Sequence, residues 1–223
     1  MADFARYLPL SQRSRVDERG VTSDRRAPTA EVLRAIAAAL RGADDAVWQA
    51  RTDDDSATPA DAVADLVGGF DRAPARRALE SAQHALGMGG RAPASDTTIT
   101  GPAEAAAALE ARAVAITERP QPTRLVELDD AVVAAVRVGD ALGTPIPVPA
   151  LASGAVALRR AAAAPTPIKA VISGHSLHAT DAAWTIGHGP ALVGTAHELI
   201  RFLAGIGTQA PRPARHGELD EGA

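Results

Sequence analysis

The sequence predicts a mainly α protein, a helical bundle followed by a small C-terminal α/β domain. Apolar residues recur at helical spacing through the first two-thirds of the chain, and alanine replaces aromatic residues, which make up only 3% of the total. Short strand-like segments crowd into the last third, and four of the six histidines lie between residues 175 and 197. At 223 residues and 46% hydrophobic residues, the chain is long enough for one large or two small domains.

The N-terminal part begins with a polar, arginine-rich stretch, residues 1–27, which has no sustained period and is expected to be an N-terminal extension. The first helix is expected to open at Pro28, with Thr29 as its N-cap. Its apolar positions follow the helical period. They are Val32, Leu33, Ile36, Leu40, Val47 and Trp48.

The second helix is marked by Thr58, Pro59 and Asp61, which supply an N-cap, a proline at the first helical position and an acid in the first turn. A third helix is expected over residues 73–86, ending at a glycine-rich stretch. Gly101-Pro102 then opens an alanine-rich helix that ends near Thr117.

The last bundle helix is expected over residues 124–142, where apolar side chains fall mostly on one side. Prolines 145, 147 and 149 follow it and mark the best domain boundary in the chain. The sequence therefore predicts a bundle over residues 28–145, a small α/β domain over residues 150–207 and a flexible tail over residues 208–223.

The α/β domain is expected to begin with a short helix over residues 150–164. Four strand-like segments follow, at residues 169–173, 177–180, 184–186 and 191–193. A capped amphipathic helix completes the domain, with Thr195 as its N-cap and Gly205 after its end.

Composition excludes several classes of chemistry. The chain has no cysteine, so it has no disulfide, no thiolate metal ligand and no cysteine nucleophile of its own. Its formal net charge of −4 supplies no basic field for a nucleic-acid backbone, and no apolar run approaches the roughly 18 residues of a membrane span. We expect a cytoplasmic protein with no nucleic-acid or membrane partner.

The histidines of the last third are the first place to search for metal or acid–base chemistry. His175 and His178 are three residues apart, and on a strand this spacing puts them on opposite faces. The glycines near His188 fit neither a GxGxxG motif nor a P-loop, and no GxSxG motif is present. These histidines are interpreted as polar strand, turn and helix-end residues.

Acidic residues beside the apolar faces of two helices are the other candidates. Asp61 and Asp65 are four residues apart on the second helix, and Asp65 borders its apolar stripe. Glu127 and Asp130 lie on the last bundle helix. Such acids are either solvated boundary residues or ligands of a hard cation.

The order of these segments resembles the mycothiol-dependent maleylpyruvate isomerase-like family, within the wider DinB/YfiT-like helical-bundle superfamily. Residues 61–67 (Asp-Ala-Val-Ala-Asp-Leu-Val) resemble a family helix that reads Asp-x-x-Ala-His-Leu. Residues 124–143 resemble the metal-bearing helix, which ends in Leu-Gly before a proline-rich linker. Residues 177–205 are most similar to the family's C-terminal domain, and the whole resemblance covers residues 28–207.

The resemblance implies a DinB-like up-and-down bundle that holds a divalent metal, usually zinc. The family uses one histidine on the second helix and an acid/His pair four residues apart on the last helix. Those positions are Asp65, Asp130 and Ala134 here, so neither family histidine is present. Asp65 and Asp130, with Glu127 as a third candidate, either hold a hard cation or mark a metal site that has been lost.

Three functions follow as hypotheses. The resemblance implies a metal-dependent thiol transferase or isomerase of an actinobacterium, in which the metal activates mycothiol as an external thiol cosubstrate. The alternative is a non-catalytic family member that binds a small molecule or a protein. A structural oligomer is the third hypothesis, suggested by the alanine faces at residues 103–115, so the chain is expected to be a monomer or a homodimer.

Overall fold

The computed structural model describes residues 23–51, 58–71 and 99–215. This part of the chain is mainly helical and carries a small sheet, as the sequence predicts. Its helices are α1 (Arg26–Arg41), α2 (Asp45–Trp48), α3 (Pro59–Asp71), α4 (Pro102–Glu118), α5 (Leu125–Leu142), α6 (Ala150–Ala162), α7 (Thr166–Ile172) and α8 (Ala196–Leu203). Its strands are β1 (Ser176–Ala179), β2 (Thr185–Gly187), β3 (Ala191–Gly194) and β4 (Arg212–Pro213).

Four helices form a bundle in which each contacts two others. Helix α1 packs against α4 and α5, and α3 packs against the same two helices. The bundle core consists of side chains at the spacing that the sequence analysis identified. Fully buried members include Leu33, Ile36, Val63, Leu109, Ile116 and Leu128.

Helices α1 and α4 pack closely because alanine side chains of α4 lie between them. Ala105, Ala106 and Ala113 are buried on α4, together with larger side chains one turn away. Small side chains let two helix backbones approach, so little aromatic bulk is needed there. One alanine face of residues 103–115 is therefore used within the chain.

The capping residues predicted from the sequence can be compared with the structure at the starts of α3 and α1. At α3 the prediction is confirmed, because Asp61 N–H donates to Thr58 Oγ1 (3.1 Å) and the Asp61 carboxylate accepts from Thr58 N–H (3.0 Å). At α1 the predicted cap is wrong, because the N-cap is Arg25, four residues before Thr29. The helix begins at Arg26, whose N–H donates to Asp24 Oδ1 (3.0 Å), and Thr29 is a buried residue inside it.

The C-terminal elements correct two further predictions. Residues 169–172 belong to helix α7, with Ser173 as its C-cap, and not to a strand, because prolines 165 and 167 preset a helix N-terminus ahead of the β-branched residues. Residues 212 and 213, expected to be tail, form strand β4. The sheet order is β2-β1-β3-β4, with β1 antiparallel to β2, β1 parallel to β3 and β3 antiparallel to β4.

Buried apolar side chains continue from the bundle into the C-terminal elements. One cluster extends from Ala30 on α1 to Ile206 beyond α8, and it includes Ile146 from the proline-rich connector. The boundary near residues 145–149 stays a prediction. The helix predicted over residues 73–86, most of the N-terminal extension and the last eight residues lie outside the described part. Among the described helices, none has the length and apolar character of a membrane span.

Candidate functional site

Helix α5 carries Glu127 and Asp130, two of the acidic residues that the sequence analysis singled out. It follows Pro122 and ends at Gly143, whose positive φ of 65° closes the helix in the left-handed conformation. Its buried face faces α1 and α3, and its other contacts are with α6 and α8. Helix α5 therefore lies between the bundle and the C-terminal helices.

Glu127 lies in the first turn of α5 and is buried. Its Oε2 atom accepts the N–H of Arg124 (3.0 Å), which caps the helix start. Its Oε1 atom accepts from Nη1 of Arg119 (3.2 Å) in the connection from α4. Both carboxylate oxygens are thus used to hold the turn that leads into α5.

Asp129 is buried, with only 4% of its surface exposed, and it is paired with an arginine of α6. Nε of Arg160 donates to Oδ1 (2.6 Å) and Nη2 donates to Oδ2 (3.1 Å), a two-point contact. Arg159 adds a second positive group at 3.7 Å. Such planar, charge-assisted pairing fixes the orientation of both side chains, so it anchors α6 on α5.

Asp140 makes the corresponding contact to α8. Its Oδ1 atom lies 2.7 Å from Nε2 of His197, and its Oδ2 atom accepts from Nε of Arg201 at 2.9 Å. Partial burial by itself would raise the pKa of Asp140, but the hydrogen bonds and charges of His197 and Arg201 outweigh it and lower the pKa below 3.8. The three side chains are only 15–16% exposed.

The N-terminus of α8 is fixed by three further contacts. Thr195 and Glu198 form a reciprocal capping box, in which Glu198 N–H donates to Thr195 Oγ1 and Thr195 N–H donates to Glu198 Oε2 (2.7 Å). Ala196 N–H donates to Oδ1 of Asp181 in the loop between β1 and β2 (2.6 Å). The predicted cap at Thr195 is confirmed.

The three metal-ligand candidates do not form a metal-binding group. Asp65 on α3 and Asp130 on α5 are half-buried, and each already has an interaction partner. Ala134 is buried and offers no ligand atom. Within residues 23–51, 58–71 and 99–215, no three His, Asp or Glu side chains are placed to hold a metal ion.

The histidine-rich segment has structural partners. His175 Nδ1 lies 3.1 Å from the carbonyl oxygen of Ser173, which can only accept, and His178 Nδ1 lies 2.9 Å from Thr185 Oγ1 across the β1–β2 pair. His178 therefore extends from its strand towards a cross-strand neighbour and not towards His175. His197, expected to be a simple helix-start residue, instead belongs to the Asp140 cluster.

A cleft lies beside this cluster, and sequence reasoning did not find it. It has a volume of about 110 Å³ and is bounded by Gly194, Glu198, Arg201, Gln209 and Arg212. Its charged walls come from a helix and from the segment leading into β4, which was expected to be tail. The only sequence signal was the spacing of Glu198 and Arg201 on one side of α8.

Arg201 lines the cleft on one side and holds Asp140 on the other. Its guanidinium group lies directly against Gly207, where a β-carbon would approach Nη2 to 2.8 Å. Gly207 also has a φ of 73°, which side-chain-bearing residues rarely adopt. A glycine is thus required for the arginine to reach its position.

Comparison with known proteins adds no relative. No protein-family model matches the chain, and neither a curated protein nor a solved structure matches it.

Proposed function

We propose that this chain is a non-catalytic, small-molecule-binding protein of the mycothiol-dependent maleylpyruvate isomerase-like type, on a DinB-like up-and-down bundle whose metal site is degenerate. One observation carries the proposal. Three acids of α5, the helix that resembles the family's metal-bearing helix, are bound by arginine side chains: Glu127, Asp129 and Asp140. They therefore act as structural anchors.

The chemistry of the remaining donors supports this proposal. Catalytic zinc sites use three protein ligands, mostly histidine nitrogen, cysteine sulfur or carboxylate oxygen. Ala134 supplies none, and both oxygens of Glu127 already accept hydrogen bonds. Asp65 and Asp130 leave an oxygen-only pair, which is a poor match to zinc. The residues present do not fit the family's metal.

The anchors suggest what α5 does in place of metal binding. Asp129 holds α6 and Asp140 holds α8, so one helix fixes two elements of the C-terminal part on the bundle. Fixing α8 also fixes Glu198 and Arg201, which line the cleft. The acids thus hold the residues of a candidate binding site in position and take no part in breaking or forming bonds.

Metal content tests the proposal. The protein is purified without chelator, incubated with excess zinc, desalted and measured by inductively coupled plasma mass spectrometry. We expect a zinc content near that of Asp65→Ala, the matched variant that lacks the second-helix candidate. Stoichiometric zinc in the wild type that is lost in Asp65→Ala would overturn the proposal in favour of the metal-dependent transferase or isomerase.

Ligand binding is tested separately by the melting temperature. A ligand that binds only the folded state raises the melting temperature as its concentration increases. Mycothiol is titrated first, with its disulfide as the control that lacks a free thiol. Equal shifts with both forms support binding without thiol chemistry, whereas turnover of maleylpyruvate by the purified protein would contradict the non-catalytic assignment.

A further inference from the structure

Helices α6 and α7 carry most of the large apolar side chains that face solvent. Three of the four such side chains in the described part of the chain lie on these two helices. Leu151 is 90% exposed and Leu158 is 57% exposed on α6, and Val171 is 37% exposed on α7. Exposed apolar side chains that are grouped on one surface are typical of an interaction site, whereas scattered ones are not.

The outer side of α6 has the spacing of a coiled-coil seam. The inner side of the helix is buried against the rest of the protein, through Ala152, Ser153, Val156 and Ala157. A second stripe, here called the outer stripe, runs along the opposite side at intervals of four, three and four residues. It consists of Leu151, Ala155, Leu158 and Ala162. These intervals are those of alternating d and a positions in a heptad repeat.

The chain around the outer stripe is basic. Residues 141–180 contain Arg159, Arg160 and Lys169 but no aspartate or glutamate. Arg160 makes both hydrogen bonds to the buried Asp129, while Arg159 lies 3.7 Å from the same carboxylate and is 31% exposed. Two guanidinium groups therefore share one carboxylate. In the heptad order Arg159 takes an e position, where a coiled coil selects its partner by charge.

We propose that the outer stripe of α6 docks an acidic amphipathic helix of a partner protein. Leucines of the partner pack over Ala155 and Ala162, whose small side chains leave room for them, and flanking glutamates meet Arg159. Helix α6 has 13 residues and is about 20 Å long, so the contact spans about two heptads. This inference goes beyond the proposed function, since it depends on neither the metal site nor the cleft.

Charge favours an acidic helix over two other occupants. A second copy of the chain would bring two basic surfaces together, and residues 141–180 contain no acid to pair with them. An anionic lipid surface would attract the arginines beside the stripe but repel the chain as a whole, whose formal net charge is −4. An acidic helix matches both the sign of the charge and the heptad spacing.

The probe is a synthetic peptide of about 21 residues, long enough to form a helix alone, with leucine at a and d and glutamate at e and g. A second peptide of the same design carries lysine at e and g. Each is labelled with fluorescein and titrated with the full chain while its anisotropy is recorded. We expect the acidic peptide to bind with a Kd of about 50 µM at low salt and more weakly as salt is added. The basic peptide is expected to bind about tenfold or more weakly.

Substitutions at exposed positions test the outer stripe without disturbing the core. Leu151→Gln and Leu158→Gln keep good helix formers and are each expected to weaken binding of the acidic peptide about tenfold. Arg159→Gln leaves the hydrogen bonds of Arg160 in place and is expected to weaken binding about threefold. Val114→Gln is the matched control, because Val114 is 47% exposed on α4, and it is expected to bind as the wild type does.

Any of three peptide results would overturn the proposal: no saturable binding up to about 1 mM chain, equal binding of the two peptides, or unchanged binding in Leu151→Gln and Leu158→Gln. A dimer in analytical ultracentrifugation that Leu158→Gln abolishes would assign the stripe to a second copy and overturn it as well. The same holds for pelleting with phosphatidylserine-containing vesicles that Leu158→Gln abolishes, which would assign the stripe to a lipid surface.

Discussion

Oδ1 of Asp140 lies 2.7 Å from Nε2 of His197, and this contact joins the last bundle helix to the last helix of the chain. Arg201, one turn after His197, binds the other oxygen of the same carboxylate at 2.9 Å. All three groups are largely shielded from water. Removal of Asp140 would therefore take one acceptor away from two donors, one of which is always charged.

Asp140→Ala is expected to lower the free energy of unfolding by about 1–3 kcal/mol, because two partly buried donors lose a charged acceptor. Asp140→Asn keeps an acceptor oxygen and is expected to cost less. Urea unfolding followed by circular dichroism measures both. Glu118→Ala, at an exposed position on α4, serves as the control. Equal stability of Asp140→Ala and the control would show that the cluster contributes nothing to the fold.

Acid stability should depend on the same carboxylate. The pKa of Asp140 is lowered from 3.8 in the folded protein, so its contribution is fully present above the unfolded pKa and is lost as the pH falls through the lower, folded pKa. The stability difference between wild type and Asp140→Asn should therefore shrink as the pH falls below about 4. Urea midpoints measured from pH 2 to 7 test this, and a difference independent of pH would refute the pKa shift.

Burial should distinguish two arginine–carboxylate pairs of equal length. Arg160–Asp129 and Arg41–Glu110 both have a 2.6 Å contact, but the side chains are 23% and 5% exposed in the first pair and 55% and 33% in the second. Arg160→Met is expected to cost about 2–4 kcal/mol because Asp129 stays buried with only Arg159 nearby. Arg41→Met is expected to cost less than about 1 kcal/mol.

The double variant Asp129→Leu/Arg160→Met completes this test. Replacing both charges by apolar groups removes the unpaired carboxylate, so much of the stability lost in Arg160→Met should return. Chemical denaturation of the wild type, both single variants and the double variant gives the coupling energy. Additive losses would mean that the two side chains do not act as a pair.

Trp184, the residue before β2, packs against α6 and donates a hydrogen bond to it. Nε1 of Trp184 donates to Oγ of Ser153 (3.0 Å), and the Trp184 side chain lies against Gly154. Ser153→Ala should cost about 1–2 kcal/mol because the indole loses its acceptor. Thr117→Ala is the control, since that hydroxyl only donates to Ala113 O of its own helix and its loss should cost under about 0.5 kcal/mol.

Local sequence signals found most helices, whereas contacts distant in sequence were not predictable. The cap at Thr58 and Asp61 uses residues three apart, so it was visible in the sequence. Asp140 and His197 are 57 residues apart, and only the packing of α5 against α8 brings them together. Helix α7 was mistaken for a strand because its β-branched residues conceal the helix start at prolines 165 and 167.

The candidate site was foreseen only in part, for the same reason. Helix α5 was identified as the helix that carries the acids, but the partners of Glu127, Asp129 and Asp140 come from three other segments. The cleft depends on a segment that pairs with β3 near the end of the described chain. Neither helical periodicity nor residue spacing reports such pairing.

A variant tests the resemblance on which the proposed function depends. Asp65→His with Ala134→His restores both family histidines around Asp130. If α3 and α5 correspond to the family's metal-bearing helices, this double variant should gain about one zinc per chain. Because position 134 is buried, the stability of the apo variant is measured first, and Ala131→His, one turn earlier on α5 and also buried, is the control.

The sharpest test of a degenerate metal site is isothermal titration of zinc into the wild type and the Asp65→His/Ala134→His variant, side by side. We expect no saturable binding to the wild type and about one zinc per chain in the variant. Tight, stoichiometric binding to the wild type would contradict a degenerate metal site.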